Sequence, residues 1–288
     1  MSEPDLSIII AASDASHAIA DCLRALEPQV AARDVELCVV ASDAADARIV
    51  REQFPRVTLI ASEPSRLIPE LWGLGVARAQ GRIIALTVAT CVPDAQWVAE
   101  ILRAHGEYHT AIGGAIENAP GGSLVDWAVY FVRYTPYMQP LTVGPLEVPG
   151  DNGTYKRAAI ADQMEWIAQH GFWEREVNER LRAQMRSLWG DPRIVVYCQK
   201  PFTFGGFTRQ RFAHGVIFGR MRAAKLTRRQ RLIRIATAPA IPLVFLARIT
   251  RNVFRKKRNR AQFIISLPLT IWFLLCWATG EFVGLVRG

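Results

Sequence analysis

Over the first hundred residues, short apolar runs alternate with stretches of helical periodicity. Leu6-Ser7-Ile8-Ile9-Ile10 is a β-branched run of strand length. Ile19, Leu23, Leu26 and Val30 recur at helical spacing and predict a helix over about 15–32. Val35 to Val40 and Val57 to Ile60 read as two further strands, and a helix from Pro69 to Gln80 leads through Gly81 into a fourth strand beginning at Ile83. Strands alternating with helices imply crossover connections and a largely parallel sheet, so this half is α/β. Ligands of such sheets sit at the carboxyl ends of the strands. That rule nominates Ala11, Ser13 and Asp14 after the first strand, Asp43 and Asp46 after the second, and Thr87 and Thr90 after the fourth. The same acids also suit the N-caps of the helices that follow.

Two long apolar stretches near the other end change the picture. Ala261 to Val286 carries Glu281 as its only charge and is long enough to span a bilayer, for which about 20 residues are needed. Ile235 to Ile249 is shorter and contains Pro239 and Pro242, which predicts a bent, interfacial or re-entrant segment. The net charge of +9 hides a division: residues 1–191 hold 16 basic and 25 acidic side chains, whereas residues 192–280 hold 18 basic and none acidic. A one-sided block of this kind suggests an anionic partner, and interleaving with apolar runs favours lipid over nucleic acid. Six of the ten residues from Arg251 to Arg260 are basic, and a second basic block runs from Arg228 to Arg234. Basic loops stay cytoplasmic, so the first apolar stretch is expected to dip in without crossing and the second to span, with the α/β part facing the cytoplasm at an inner or plasma membrane. The first apolar run has no basic region before it and does not read as a secretory signal. Five scattered cysteines without metal-ligand spacing point to a reducing compartment and to no zinc site.

Four motifs in order carry a family resemblance. Arg82 to Trp97, with Thr87-Val88-Ala89-Thr90, then Pro93 and an aromatic-led helix, resembles the segment of family 2 glycosyltransferases in which a strand ends in Asp-x-Asp; the two acid positions here read Val88 and Thr90. Val148-Pro149-Gly150-Asp151-Asn152-Gly153-Thr154-Tyr155-Lys156-Arg157 resembles the small-residue turn beside donor and acceptor sugars. Gly171-Phe172-Trp173-Glu174-Arg175-Glu176-Val177 resembles the motif that carries the catalytic base of inverting members, and Gly206 to Gly215 the basic segment over the active site of membrane-bound ones.

The resemblance covers most of residues 5–225 and implies a GT-A-like nucleotide-binding fold. Its domains are then 1–225, with a nucleotide-binding half to about 100 and an acceptor half beyond, and a basic membrane-associated helical tail over 226–288. It implies a hexosyltransferase-type enzyme taking sugar from a nucleotide sugar to a lipid-linked or polysaccharide acceptor of the cell envelope. Glu174 or Glu176 is the base. Ala11, Ser13, Asp14, Asp43, Asp46, Thr87 and Thr90 line the donor pocket, and Asp151, Asn152 and Gly153 border the sugar. Without the paired acids, Mg or Mn is a doubtful cofactor, and Arg209, Arg211, Lys156 or Arg157 supplies the positive charge that the diphosphate needs. Two alternatives stand beside this: Glu174, Glu176 and Glu179 decorate a helix whose Val177, Leu181 and Met185 point inward, or the chain is a catalytically silent relative that binds a nucleotide or a partner at the membrane.

Overall fold

The computed structural model describes residues 3–13, 18–31, 33–199, 202–224 and 226–288. Its elements in chain order are β1 (Leu6–Ala12), α1 (Ala18–Val30), β2 (Val35–Ala41), α2 (Ala44–Gln53), β3 (Thr58–Ala61), α3 (Ile68–Val76), β4 (Ile83–Val88), β5 (Cys91–Pro93), α4 (Trp97–His105), β6 (Ala111–Asn118), α5 (Leu124–Tyr134) and β7 (Gly144–Pro145). There follow β8 (Asn152–Lys156), α6 (Met164–His170), α7 (Glu174–Ala183), β9 (Leu188–Cys198), α8 (Phe204–Ala223), α9 (Arg228–Thr237), α10 (Ile241–Lys256) and α11 (Arg260–Arg287). The chain forms two compact units, residues 1–117 with 139–200, and 118–138 with 201–288. The boundary expected at 225 falls inside the second unit, because α8 packs on α11 through close backbone contacts described below.

The first unit is built on one sheet in the order β3-β2-β1-β4-β8-β6-β9-β5, with β7 on β9. The first four strands of the chain pair in parallel, Ile8 lying opposite both Leu37 and Ala85. β1 is buried along its whole length, as a strand covered on both faces must be. Of the segment expected as a small-residue turn, Gly150 and Asp151 do lie in a turn, whereas the residues after them form a strand: β8 lies antiparallel between β4 and β6, with Thr87 opposite Asn152 and Ile83 opposite Lys156. Gly153 is required there by close approach, since a Cβ would run into the carbonyl oxygen of Pro149. α7 buries Val177 and Leu181 as its periodicity predicts, but it ends at Ala183, and Met185, expected inside, has φ 55° and is 94% exposed.

His105, at the end of α4, is buried and shares a 2.7 Å hydrogen bond between Nε2 and Thr154 Oγ1. Burial, reinforced by Lys156 and His109, pushes its pKa from 6.5 down to about 3. The folded protein holds this imidazole neutral, so its contribution is complete above pH 6.5 and is lost as pH falls from 6.5 towards 3. The full loss is on the order of several kcal/mol. In denaturant titrations, His105→Gln is expected to flatten the decline of stability over that window relative to the parent; equal slopes would refute it.

The second unit is helical. Ala128 and Val129 of α5 pack with Phe207 of α8 and Phe273 of α11, and Ala238, Ile241 and Trp277 form a second cluster. α8 and α11 meet along Gly215-x-x-x-Gly219 and Gly280-x-x-x-Gly284: Gly215 touches Gly280, and Gly219 touches Gly284. Ascending numbers meet ascending numbers, so the two helices run parallel. Small residues at four-residue spacing permit this backbone proximity. Glu281, fully buried between the last two of these glycines, pairs with Arg222 and, at 3.6 Å, with Arg234.

The shorter apolar stretch departs from expectation. Pro239 sits in a 3₁₀ turn over Ala238–Ala240 and Pro242 in the first turn of α10, where a missing N–H leaves no bond unmade. The chain therefore stays helical from Arg228 to Lys256. Both this stretch, of 29 residues, and α11, of 28, are long and apolar enough to cross a membrane.

Candidate functional site

At the carboxyl end of β4, one tryptophan organises the surroundings. Trp72 of α3 is buried and donates from Nε1 to the carbonyl oxygen of Thr87 at 2.7 Å. Gly150 lies close against its indole, where a Cβ would stand 2.5 Å from Cη2 and Cζ3 and 3.5 Å from Cδ of Glu174. The neighbouring Asp151 is largely buried, and its carbonyl oxygen accepts a 3.0 Å hydrogen bond from Thr87 Oγ1. Trp72, Gly150, Asp151 and the Glu174 carboxylate thus meet where the parallel strands end.

Glu174 opens α7 and is partly buried. The position of the helix follows from a backbone contact: a Cβ on Gly73 would lie 2.6 Å from Cα of Gly171, and Gly171 has φ +91°, a conformation that favours glycine. Phe172 N–H donates to Pro69 O at 2.7 Å, and the Phe172 ring packs edge-on against Tyr155. Tyr155 shares a 3.2 Å hydrogen bond with Asn178 Oδ1, and Asn178 Nδ2 donates to Val148 O at 2.8 Å and Glu147 Oε1 at 3.1 Å. α7 is therefore bolted to the chain just before Gly150. Residues two apart on a helix face different directions, so Glu176 does not share the aspect of Glu174 that looks onto Gly150. Trp72, Gly73 and Asn178 escaped the sequence reading; the signal for them was Gly171, a glycine opening a helix that only a close neighbour requires.

The remaining nominated residues fall into groups. Ala11 lies opposite Val88, and Ala89 N–H donates to Ala11 O at 2.9 Å, closing the end of β1. Ser13 is partly buried just beyond, and Asp14 lies outside the described residues. Asp43 caps α2, accepting at Oδ1 from the N–H groups of Ala45 at 2.8 Å and Asp46 at 3.2 Å; Asp46 is fully buried in that helix. The Asn152 amide is consumed internally: it donates to Ala115 O and Ile194 O at 2.8 and 3.0 Å and accepts from Trp97 Nε1 at 2.9 Å. Asn152 and Gly153 are thus interior strand residues, tying β8 to β6, β9 and α4.

Lys156 and Arg157 are not brought to this end. β8 runs antiparallel to β4, so Lys156 stands beside Ile83, at the amino end. Its Nζ donates to Glu107 O at 2.7 Å, and Arg157 pairs with Glu3 at 3.5 Å. Both line a separate cleft of about 860 Å³ with Asp5, Arg82 and His105. Arg209 and Arg211 belong to α8 of the second unit; Arg209 is exposed, and the Arg211 guanidinium lies 5.9 Å from the ring centres of Phe207 and Trp277.

A divalent ion at the end of β4 needs oxygen donors, carboxylates above all. Val88 and Ala89 are buried apolar side chains and Thr90 offers one hydroxyl, its carbonyl oxygen being taken by Gln199 N–H at 2.8 Å. Among the described residues no three His, Cys, Asp or Glu side chains are grouped to hold a metal. The residues present at this strand end do not fit such an ion.

No protein-family model matches the sequence, and no curated protein sequence matches it. Solved structures do match. The mannosyltransferase PcManGT from Pyrobaculum calidifontis, in complex with GDP-Man and Mn2+, superposes with a TM-score of 0.58 at 14% identity, over 98% of this chain and 88% of that one. Residues 1–349 of S. aureus TarS superpose with a TM-score of 0.50 at 12% identity, over 96% of this chain and 90% of that one. The fold is GT-A-like, with a C-terminal pair of apolar helical stretches.

Proposed function

We propose that this protein is an inverting glycosyltransferase that moves a sugar from a nucleotide-sugar donor to a lipid-linked or polysaccharide acceptor. The observation that carries the reading is the Glu174 carboxylate held against Gly150 and Trp72 at the carboxyl end of β4, the end at which sheets of this kind bind ligands. Glu174 accepts the proton of the acceptor hydroxyl as that oxygen bonds to the anomeric carbon, and the bond from that carbon to the diphosphate oxygen breaks with its electron pair. The buried Trp72 indole backs Gly150 and helps set the place of Glu174, and Asp151, next in the chain, is the proposed contact for sugar hydroxyls. Nothing in the chemistry is routed through a metal ion.

The test is calorimetric titration of GDP- and UDP-sugars into the detergent-solubilised full chain, with Mg or Mn and again with chelator. GDP-mannose comes first, as the ligand of the P. calidifontis structure. Binding of at least one nucleotide sugar, displaced by the matching nucleoside diphosphate, is expected. Absence of binding under both conditions would leave the alternative, a silent GT-A-like scaffold, which is favoured by Val88 and Thr90 where acids are usual and by an Asn152 amide turned wholly inward.

A further inference from the structure

We propose that α8 to α11 form a platform lying in one leaflet of an anionic bilayer, with neither apolar stretch crossing it. The helical run Arg228–Lys256 returns along α11 over its whole length. At one end Arg231 donates from Nε and Nη2 to the carbonyl oxygens of Leu285 and Val286, at 2.6 and 2.9 Å. Midway, Phe245 packs edge-on against Trp277. At the other end only residues 257–259 separate α10 from α11. The two runs are therefore antiparallel neighbours, and either both cross a membrane or neither does.

The charges of the α9–α10 run weigh against crossing, although its length and mean hydropathy would allow it. Its longest stretch without charge lies between Arg234 and Arg248, and Arg248 is exposed. The 13 residues between them rise about 20 Å, short of a hydrocarbon core about 30 Å thick. Charge at the ends of the hairpin agrees. One end carries Arg220, Arg228, Arg229 and Arg287, and the other Arg251, Arg255, Lys257 and Arg258, roughly 40 Å away along the helices. Crossing would send one basic cluster to the far side, against the rule that such clusters stay cytoplasmic. Lying flat lets both meet anionic headgroups on a single surface. The apolar contact is supplied by one exposed stripe of α11, whose Ile264, Ile265, Trp272, Leu275, Phe282 and Val286 recur at helical spacing along its length. The only acid in these four helices, Glu281, is buried against Arg222 and Arg234 and takes no part in that surface.

Single exposed cysteines at the two ends, Gln230→Cys and Lys257→Cys, test this in the full chain inserted in sealed membrane vesicles of known orientation. Both are expected to react with a membrane-impermeant maleimide from the same, cytoplasmic side, and to be protected from the other. Labelling of the two from opposite sides would overturn the proposal. In a second measurement, Arg255→Glu with Arg258→Glu is expected to weaken partitioning onto phosphatidylglycerol vesicles at least tenfold at low salt, without changing partitioning onto neutral phosphatidylcholine. An equal effect on both lipids would overturn the headgroup role.

Discussion

Replacing Glu174 with Gln is expected to lower the turnover of sugar transfer by about 10²- to 10⁴-fold, the usual contribution of a positioned general base. The amide keeps the size of the side chain and its place against Gly150 and Trp72, so donor affinity is expected to stay within about twofold, and the loss to fall on kcat. Glu176→Gln is the internal comparison. Two residues further along α7, it faces elsewhere, and a change of no more than a few-fold is expected. If Glu176→Gln proved the more damaging, the assignment of the base would move to it. If neither variant lost activity, the carboxylates would be helix decoration and the mechanism proposed above would fail.

Substituting Leu at Gly219 or Gly284 is expected to unfold the helical unit. A Cβ at either position lands on carbonyl oxygens of the facing helix, that of Glu281 for Gly219 and of Val216 for Gly284. The atoms in the way are backbone, so α8 and α11 must separate, exposing Phe273 and Trp277 and loosening the ion pairs of Glu281. Overpacking alone costs about 1–3 kcal/mol, and an uncoupled buried charge adds about 3–5 kcal/mol. Gly205→Leu, on the same helix with nothing within 4 Å of its Cβ position, is the matched control and is expected to be neutral or slightly stabilising. Limited proteolysis of the detergent-solubilised chain reads the difference, as rapid cleavage within 201–288 in the first two variants and parent-like resistance in the third.

Where the sequence spoke in runs of one period, it was legible. β1 to β4 announce themselves as β-branched clusters, and their parallel pairing follows from the helices between them. β8 was not legible, because Asn-Gly-Thr-Tyr-Lys has the composition of a turn; it is a strand through its pairing with β4 and β6 and the burial of the Asn152 amide. Reading it as a turn also misplaced Lys156 and Arg157. On an antiparallel strand each residue moves the side chain about 3.4 Å back along β4, and four residues take these cations to the opposite end of the sheet. Within the site, the motif left Glu174 and Glu176 level; the contact with Gly150, more than twenty residues away, separates them. The two-unit division was hidden for a similar reason, since Gly215 and Gly280 betray their contact in three dimensions only.

The order of the chain gives one of these contacts a temporal side. α5 emerges inside a segment flanked by strands of the sheet, yet its Phe131 ring packs against Phe263 of α11. At translation rates of about 5–20 residues per second, roughly 7 to 26 seconds separate the synthesis of the two. During that interval the sheet can close around its own strands while α5 waits without its partner, its apolar side open to chaperones or to the lipid surface. Assembly of the helical unit is therefore a late event, and a ribosome stalled before Arg260 carries a nearly complete sheet with an unfinished platform.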